Sequence, residues 1–363
     1  MQGISLLIKP AGSLCNMRCR YCFYREERQD ENSGRFLPEE TLRAVFEKLL
    51  FGVSGPCRIV YQGGEPTLCG LDYFRTAVRL AKAYAAPDAT VEHAIQTNGL
   101  LIDDAWAEFF AQEHFLVGIS LDGPQSLHDK YRVDLSGNGT HARVTKAIRI
   151  LERHGVAFNI LSVITADSCR FGASMYRFFD RSGFLWQQYI PALPPLHSAK
   201  PQAWSLTPQA YGAFLKETFR LWYQDVSEGK PVYNRYFDNL VGVLCNRLPE
   251  ACDMRGFCSP QYVIEADGSV YPCDFYAVED WLLGNIHSDS AAELQQAAQV
   301  FLQSGTVDSS HCRLCKWFTL CRGGCRRRRE GRERDLLCEA YRIFFPYAYP
   351  KLKDLAEKVR LRQ

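Results

Sequence analysis

Three cysteines lie within eight residues near the N-terminus, in the stretch LCNMRCRYCFY from residue 14 to residue 24. Cys15, Cys19 and Cys22 have the spacing C-x3-C-x2-C. Three thiolates from one loop can hold three irons of a 4Fe-4S cluster, and the fourth iron then stays open to a ligand. Structural zinc takes four protein ligands, so zinc fits this set of three poorly. The spacing therefore predicts a cluster with an open iron.

A second group of cysteines lies towards the C-terminus, where regular elements are expected to be few. Eight fall between residues 252 and 338, namely Cys252, Cys258, Cys273, Cys312, Cys315, Cys321, Cys325 and Cys338. Eight thiolates are enough for two fully ligated 4Fe-4S clusters, which would carry electrons because no iron is open. The remaining cysteines are predicted to be ordinary apolar thiols. They are Cys57, Cys69, Cys169 and Cys245.

The elements that must position the first group alternate between two patterns from residue 4 to about residue 190. Short strand-like runs are ISLLIK, CRIVYQ, VEHAIQT, FLVGISLD, FNILSVIT and LWQQYIP, and helix-like segments span 38–50, 71–85, 103–113, 139–154 and 169–182. This alternation indicates a parallel α/β domain, in which chemistry lies at the C-terminal ends of the strands. The motifs CNMRCRYC, GGEP, TNG and SLDG follow the first four strands. We therefore expect them to meet at one edge.

The composition limits the class of protein. The 363 residues are 47% hydrophobic and 23% charged, with a net charge of +2, as in a folded globular protein. The N-terminus lacks the pattern of a signal peptide, and no run approaches the roughly 18 apolar residues of a membrane span. We therefore expect a cytoplasmic protein without a membrane partner. In a reducing compartment, fifteen cysteines more often bind metal or serve redox chemistry than form disulfides.

The first cysteine motif resembles that of the radical S-adenosylmethionine (SAM) enzymes. In that family SAM chelates the open iron, and an electron from the cluster cleaves it to a 5'-deoxyadenosyl radical. The second group, with C-x2-C-x5-C-x3-C from Cys312 to Cys325, resembles the SPASM extension of enzymes that modify peptides. The resemblance implies a partial (β/α)6 barrel over residues 1–235 and a SPASM domain with a C-terminal helix over residues 236–363.

The same resemblance implies which residues hold the cofactors, three 4Fe-4S clusters and SAM. One auxiliary cluster would use Cys252, Cys258, Cys273 and Cys325, and the other Cys312, Cys315, Cys321 and Cys338. Gly64 and its neighbours would meet the methionyl amino group of SAM, Arg132 its carboxylate and Leu193 its adenine. The full set of implied SAM contacts is Tyr21, Gln62, Gly63, Gly64, Glu65, Ser120, Asp122, Arg132 and Leu193.

A closer resemblance is to the anaerobic sulfatase-maturating enzymes, through LLIKPAGSLCNMRCRYCFY, QGGEPTL, QTNGLLID, FLVGISLDGP, YPCDFY, LGNI and CKWFTLCRGGC. It implies oxidation of a cysteine or serine in a sulfatase Cys/Ser-x-Pro-x-Arg motif to Cα-formylglycine. Asp274 would be the catalytic base, and Tyr24 and Gln62 would line the substrate cavity. The implied partners are the sulfatase segment and a flavodoxin- or ferredoxin-type electron donor, and the implied state is a monomer.

Other readings of the motifs remain open. The chain could mature another ribosomally made peptide by forming thioether or carbon-carbon links, or it could be a non-catalytic iron-sulfur or zinc protein. Seven arginines between residues 322 and 334 raise the question of nucleic-acid binding. The remaining chain offsets this run of charge, so we expect no nucleic-acid partner. The arginines would instead offset the negative charge of nearby clusters.

Overall fold

The computed structural model of the protein describes residues 2–24, 35–196, 202–307 and 309–361. Contacts within the chain divide it into two compact units. The first comprises Met1–Ser120, Asp129–Phe158 and Ser259–Gln303, and the second comprises Leu121–His128, Asn159–Cys258 and Ser304–Gln363. The domain boundary expected after residue 235 remains a prediction.

The strands of the described residues are numbered along the chain. They are β1 (Gln2–Ile8), β2 (Ser54–Tyr61), β3 (Ala89–Thr97), β4 (Leu116–Ser120), β5 (Phe158–Ile164), β6 (Trp186–Pro191), β7 (Tyr233–Asn234), β8 (Val263–Ile264), β9 (Ser269–Tyr271) and β10 (Gly284–Asn285). All six strands expected before residue 190 are present.

The α-helices are numbered in the same way. They are α1 (Glu39–Leu49), α2 (Leu71–Tyr84), α3 (Asp104–Gln112), α4 (Gln125–Tyr131), α5 (His141–Arg153), α6 (Gly172–Ser182), α7 (Pro208–Ser227), α8 (Arg235–Leu244), α9 (Ala291–Ser304), α10 (Ser310–Arg313), α11 (Phe318–Cys321), α12 (Arg326–Arg329) and α13 (Cys338–Arg360). The helices expected from periodicity correspond to α1, α2, α3, α5 and α6.

The first unit is built on a mixed sheet with the strand order β10-β9-β8-β1-β2-β3-β4. Strands β1 to β4 are parallel neighbours, and Ile8 of β1 pairs with Tyr61 of β2, which pairs with Ile95 of β3. Because their C-terminal ends are level, the segments that follow them emerge at one edge. This arrangement confirms the predicted α/β class and brings the first three motifs together.

The apolar face of each helix in this unit explains its packing. Helix α1 buries Leu42, Val45, Phe46 and Leu49 at helical spacing, which is the pattern of an amphipathic helix that covers a sheet. Strand residues Leu6 and Ile59 are completely buried. Parallel strands that are covered on both faces need such continuous apolar sequence.

The second unit contains the parallel strands β5, β6 and β7 in that order. Its helix α13 packs against α7 and α8, and the rings of Phe219 and Phe344 lie 5.4 Å apart. Helix α13 continues through Pro346 and Pro350, although proline normally interrupts a helix. The expectation of few regular elements towards the C-terminus is therefore wrong for α9, whereas α13 is the C-terminal helix that the resemblance implies. No helix among the described residues combines the length and apolar character needed to cross a membrane.

Candidate active site

The loop with the first three cysteines follows β1 and is held by the motif after β2. Gly64 donates its backbone N–H to the carbonyl of Gly12 (2.8 Å), and Glu65 donates to that of Leu14 (2.7 Å). A Cβ atom on Gly64 would lie 2.0 Å from the carbonyl oxygen of Leu14. Only glycine permits this approach, so Gly64 positions the cysteine loop by backbone packing. This contact is distinct from the SAM contact that the resemblance implies.

The Glu65 side chain joins the ends of β2 and β3. It is completely buried; one oxygen accepts hydrogen bonds from Thr67 and Thr97, and the other accepts the backbone N–H of Asn98 (2.7 Å). Burial raises the pKa of Glu65, and these hydrogen bonds oppose that rise. Asn98 in turn donates its side-chain amide to Asn16 (2.7 Å), inside the cysteine loop. Glu65 is therefore connected to the cysteine loop through Asn98.

Residues 131–134 hold the other side of the cysteine loop. Arg18 donates its backbone N–H to Val133 (2.8 Å), and Arg20 donates to Tyr131 (3.0 Å). The guanidinium of Arg132 lies 5.4 Å from the ring centre of Tyr21. Arg132 is only 7% exposed, although an isolated arginine is normally on the surface. The structure therefore places Tyr21 and Arg132 together beside the cysteine loop.

The thiols of the loop suit a cluster better than a single ion. Burial and then the charge of Glu65 raise the pKa of Cys15 to about 11, so binding of iron must displace its proton. A single ion needs its ligands around one point, whereas a 4Fe-4S cluster takes its thiolates on separate irons. The three thiols on one short loop fit that requirement.

The remaining implied SAM contacts lie at the ends of their strands. Ser120 is the last residue of β4 in the first unit. In the second unit, Asp122 is buried and accepts a hydrogen bond from the backbone N–H of Val163 (2.8 Å). Leu193 follows β6 and is half-buried. Strand ends are where ligands bind in parallel α/β folds.

Asp274 is the centre of a buried polar group in the first unit. The residue is 6% exposed, and its Oδ2 accepts hydrogen bonds from the Tyr24 hydroxyl and from the Gln62 amide (3.0 Å). Its Oδ1 lies 2.6 Å from Nζ of Lys9. Lys9 also pairs with Glu265 (3.2 Å). The structure thus brings the predicted Asp274, Tyr24 and Gln62 into direct contact.

Three residues of this site were missed in the sequence. Lys9 and Glu265 pair with each other, and Asn98 connects Glu65 to the cysteine loop. The sequence did offer an indication of Lys9, because the residue lies between an apolar strand and the cysteine motif. A lysine is unusual at such a buried strand end. The sequence offered no such indication of Glu265, since it becomes neighbour to Lys9 only through the pairing of β1 with β8.

The second unit contains a cavity of about 360 Å³ whose lining includes Cys312, Cys315, Cys321 and Cys338. These are all four ligands predicted for one auxiliary cluster. Burial raises the pKa of Cys321 to about 12, and the charges of the other three cysteines add to the rise. The four thiols therefore face a common space that is much larger than the roughly 30 Å³ of one water molecule. This donor set and this space fit a four-iron cluster.

The other predicted auxiliary set takes residues from both units. In the second unit, desolvation and then Asp253 raise the pKa of Cys252 to about 12, with further contributions from Cys325 and Cys258. These three thiols are therefore close enough to influence one another. Cys273 belongs to the first unit, where it directly precedes Asp274.

The arginine run is bound into the second unit. Arg328 is buried and pairs with Asp335 (2.7 Å) and Asp253 (3.0 Å). Arg326, Arg327 and Arg329 donate to oxygens of Ser304, Pro194 and Gly305 respectively. Four of the seven guanidinium groups thus bind the fold itself, whereas a nucleic-acid site needs them directed at phosphates.

Comparison with known proteins identifies the family. The profile of the radical SAM superfamily matches residues 10–166, and that of the SPASM iron-sulfur cluster-binding domain matches residues 256–321. A cysteine-type anaerobic sulfatase-maturating enzyme of Clostridium perfringens (strain 13 / Type A) is 40% identical, covering 99% of this chain and 100% of its own. That of Clostridium novyi (strain NT) is 38% identical over 100% of both chains. The chain belongs to the anaerobic sulfatase-maturating enzymes.

Two further comparisons place the enzyme within this family. A serine-type enzyme of Bacteroides thetaiotaomicron is 29% identical, covering 99% of this chain and 92% of its own. The solved structure of anSMEcpe with bound AdoMet and Kp18Cys peptide has a TM-score of 0.93 and 39% identity, and the match covers 98% of this chain and 99% of that one. The predicted family, fold class and enzyme class, a radical SAM oxidoreductase with a SPASM domain, are confirmed.

Replacement of Gly64 by alanine should lower the free energy of unfolding by about 1–3 kcal/mol or more. The added Cβ would overlap the backbone of Leu14, which cannot move independently. The measurement is the apparent melting temperature by circular dichroism under anaerobic conditions. Gly242→Ala is the control, since Gly242 is in helix α8 and its Cβ would be 3.8 Å from the nearest atom. That control should melt at or above the wild-type temperature. Equal melting of the two variants would contradict our account of Gly64.

Proposed function

We propose that the enzyme oxidises the cysteine of a sulfatase Cys-x-Pro-x-Arg segment to Cα-formylglycine in a SAM-dependent reaction. The observation that carries this proposal is the buried group of Asp274, Tyr24 and Gln62. It lies in the same unit as the three-cysteine loop. A radical source, a base and an acceptor for one electron are the components that this oxidation requires, and the fully ligated auxiliary clusters would be that acceptor.

Three 4Fe-4S clusters and SAM are the cofactors we infer. Cys15, Cys19 and Cys22 would hold the cluster with the open iron, and the two auxiliary clusters would use the cysteine sets given above. When bound, the first cluster and SAM supply a radical that removes a hydrogen atom from carbon. Arg132 would bind the SAM carboxylate, since its guanidinium is buried beside Tyr21. Its planar donors suit a carboxylate. The other SAM contacts stay as the resemblance implies.

Asp274 would act as the general base. After hydrogen is lost from the substrate Cβ, the neighbouring thiol must lose a proton before an electron can leave. We assign the proton to Oδ2 of Asp274, the oxygen beside the predicted cavity residues, while Oδ1 lies 2.6 Å from Nζ of Lys9. Tyr24 and Gln62 contact the same Oδ2 atom. The substrate thiol would approach between these two side chains, so they would line the cavity.

Cysteine is the better candidate substrate than serine. Identity to the cysteine-type relatives is 38–40%, against 29% for the serine-type relatives. Chemistry supports the same choice, because a thiol has a pKa near 8.5 and gives up its proton to a carboxylate much more readily than a hydroxyl.

The remaining partners and the setting are also inferred. A flavodoxin- or ferredoxin-type protein would reduce the first cluster, and the enzyme would act as a cytoplasmic monomer. Residues 1–235 would form the radical SAM domain and residues 236–363 the SPASM domain.

The first experiment incubates the anaerobic, reduced enzyme with SAM and a peptide containing Cys-x-Pro-x-Arg, or with the serine variant of that peptide. The cysteine peptide should yield formylglycine faster by about tenfold or more, because a site built for a thiol discriminates against a poorer acid. Mass spectrometry of the peptide measures the product. Equal or faster reaction of the serine peptide would contradict the cysteine assignment. A thioether or carbon-carbon link instead of formylglycine would favour another peptide maturase.

Anaerobic reconstitution should give about twelve irons per chain, one 4Fe-4S cluster for each cysteine set. Replacement of Cys15, Cys19 and Cys22 by alanine should remove only the first cluster, leaving about eight irons. Iron and zinc are measured by elemental analysis. Alanine at Cys57, a buried cysteine outside all three sets, is the control and should leave the iron content unchanged. A folded protein with two zincs and no iron would contradict the proposal.

Replacement of Asp274 by asparagine should lower the formylglycine rate by at least about 100-fold, because an amide cannot accept the proton. The variant should keep its iron and still form 5'-deoxyadenosine, since hydrogen abstraction precedes proton loss. Chromatography of both products measures the effect, and Asp280→Asn, at an exposed carboxylate, is the control. Normal formylglycine yield with full iron would exclude Asp274 as the base and make Tyr24 the next candidate.

A further inference from the structure

Lys9 is a buried cation that the proposed chemistry has not yet used. It directly follows β1 and has no exposed surface. A lysine is almost never buried completely unless its charge is paired, because removal of the ammonium from water is costly. Here Nζ lies 2.6 Å from Oδ1 of Asp274 and 3.2 Å from Oε1 of Glu265. The lysine thus connects two carboxylates inside the first unit.

The strand pairing fixes where this ammonium lies. Strand β1 is parallel to β8, with Ile8 opposite Ile264, and the backbone N–H of Lys9 donates to the carbonyl of Ile264 (3.0 Å). Lys9 and Glu265 therefore follow paired residues on neighbouring strands. Their side chains start from the sheet itself, so the ion pair has little freedom to move.

The stem of Lys9 is confined as well. A Cβ atom on Gly63 would lie 3.3 Å from Cγ of Lys9, so the glycine leaves the space through which the stem passes. At its far end, Nζ lies 4.8 Å from the ring centre of Tyr24, within the range of a cation–π contact. The ammonium is held from several sides by groups of the active site.

The two oxygens of Asp274 have different partners. Oδ1 pairs with Lys9, whereas Oδ2 receives the hydrogen bonds of Tyr24 and Gln62. Rotation of the carboxylate about its Cβ–Cγ bond would break the 2.6 Å contact with Lys9. The direction in which Oδ2 points therefore depends on the cation at Oδ1.

We propose that Lys9 is a positioning residue for the oxidation: its ammonium holds Oδ1 of Asp274 so that Oδ2 stays directed at Tyr24 and Gln62. This inference rests on the proposed function, in which Oδ2 takes the substrate proton. Lys9 itself touches no reacting atom. It acts through Asp274, and Glu265 keeps the ammonium in place.

The test compares Lys9→Met, which has no charge and no hydrogen-bond donor, with Lys9→Gln, which has no charge but carries an amide donor. Each holoenzyme is incubated anaerobically with reductant, SAM and the Cys-x-Pro-x-Arg peptide. Iron content, 5'-deoxyadenosine and formylglycine are measured. Lys9→Met should keep its iron and its rate of 5'-deoxyadenosine formation. Its ratio of formylglycine to 5'-deoxyadenosine should fall by roughly tenfold or more, because a displaced carboxylate accepts the substrate proton inefficiently. Lys9→Gln should lie between Lys9→Met and wild type.

Lys230→Met is the matched control. Lys230 also pairs with an aspartate, Asp225 (2.5 Å), which accepts a hydrogen bond from the hydroxyl of Tyr176 (2.8 Å). This variant removes an exposed lysine from an aspartate–tyrosine pair in the second unit, outside the proposed site. The ratio of formylglycine to 5'-deoxyadenosine in this variant should equal that of wild type.

A double variant separates positioning from a general loss of structure. If Lys9 acts through Asp274, adding Lys9→Met to Asp274→Asn should lower the formylglycine yield no further, because the two residues work as one unit. An additional loss in the double variant would overturn the proposal. A wild-type product ratio in folded Lys9→Met would do the same. Loss of fold and iron in both Lys9 variants would also overturn it, since Lys9 would then support the fold and not one carboxylate.

The outcomes distinguish this inference from the proposed function. A normal product ratio in Asp274→Asn would show that Asp274 is not the base, and it would exclude the positioning role of Lys9 as well. The expected defect in Asp274→Asn together with a normal ratio in Lys9→Met would leave the base in place and exclude only the positioning role.

Discussion

The close approach of Gly63 and Gly64 to the cysteine loop is the constraint on which the rest of the active site depends. The missing Cβ atoms allow the backbone after β2 to lie directly against Gly12 and Leu14, and Gly63 leaves room for the stem of Lys9. The same contact therefore sets the position of the three thiols and the path of the buried ammonium. A glycine at a strand end can admit a ligand or a neighbouring backbone, and the absent Cβ of Gly64 admits the backbone of Leu14.

Buried charge is a second feature of the enzyme, and ion pairs neutralise part of it. Lys9 pairs with Asp274 and Glu265, and in the second unit Arg328 pairs with Asp253 and Asp335. Breaking one partner of such a pair is costly, because it leaves an uncompensated charge away from water. The pairs consequently fix side chains in single orientations. This rigidity suits a reaction in which an unpaired electron must meet one substrate atom and no other.

The sequence predicted most of the first α/β segment, because its signals are local. Helices α1 to α3 end within two residues of the segments expected from periodicity, and the six expected strands are all present. The C-terminal helix α13 was implied by the family resemblance and not by its local sequence. Its Pro346 and Pro350 suggest a break, yet packing of Phe344 against Phe219 and the other contacts with α7 and α8 hold the helix together. Tertiary packing there outweighs the local preference of proline.

The sequence by itself determined the chemistry of this protein: which cysteines occur in sets, which motifs end which strands, and that Asp274 adjoins Cys273. Those properties depend on residue types and on spacing along the chain, and both can be read directly. Only the tertiary structure decided that Arg132 is buried beside Tyr21, that four cysteines share one cavity, and that Lys9 bridges Asp274 and Glu265. Lys9 and Asp274 are far apart in sequence. The parallel pairing of β1 with β8 and the antiparallel pairing of β8 with β9 bring their segments together through hydrogen bonds that no local pattern encodes.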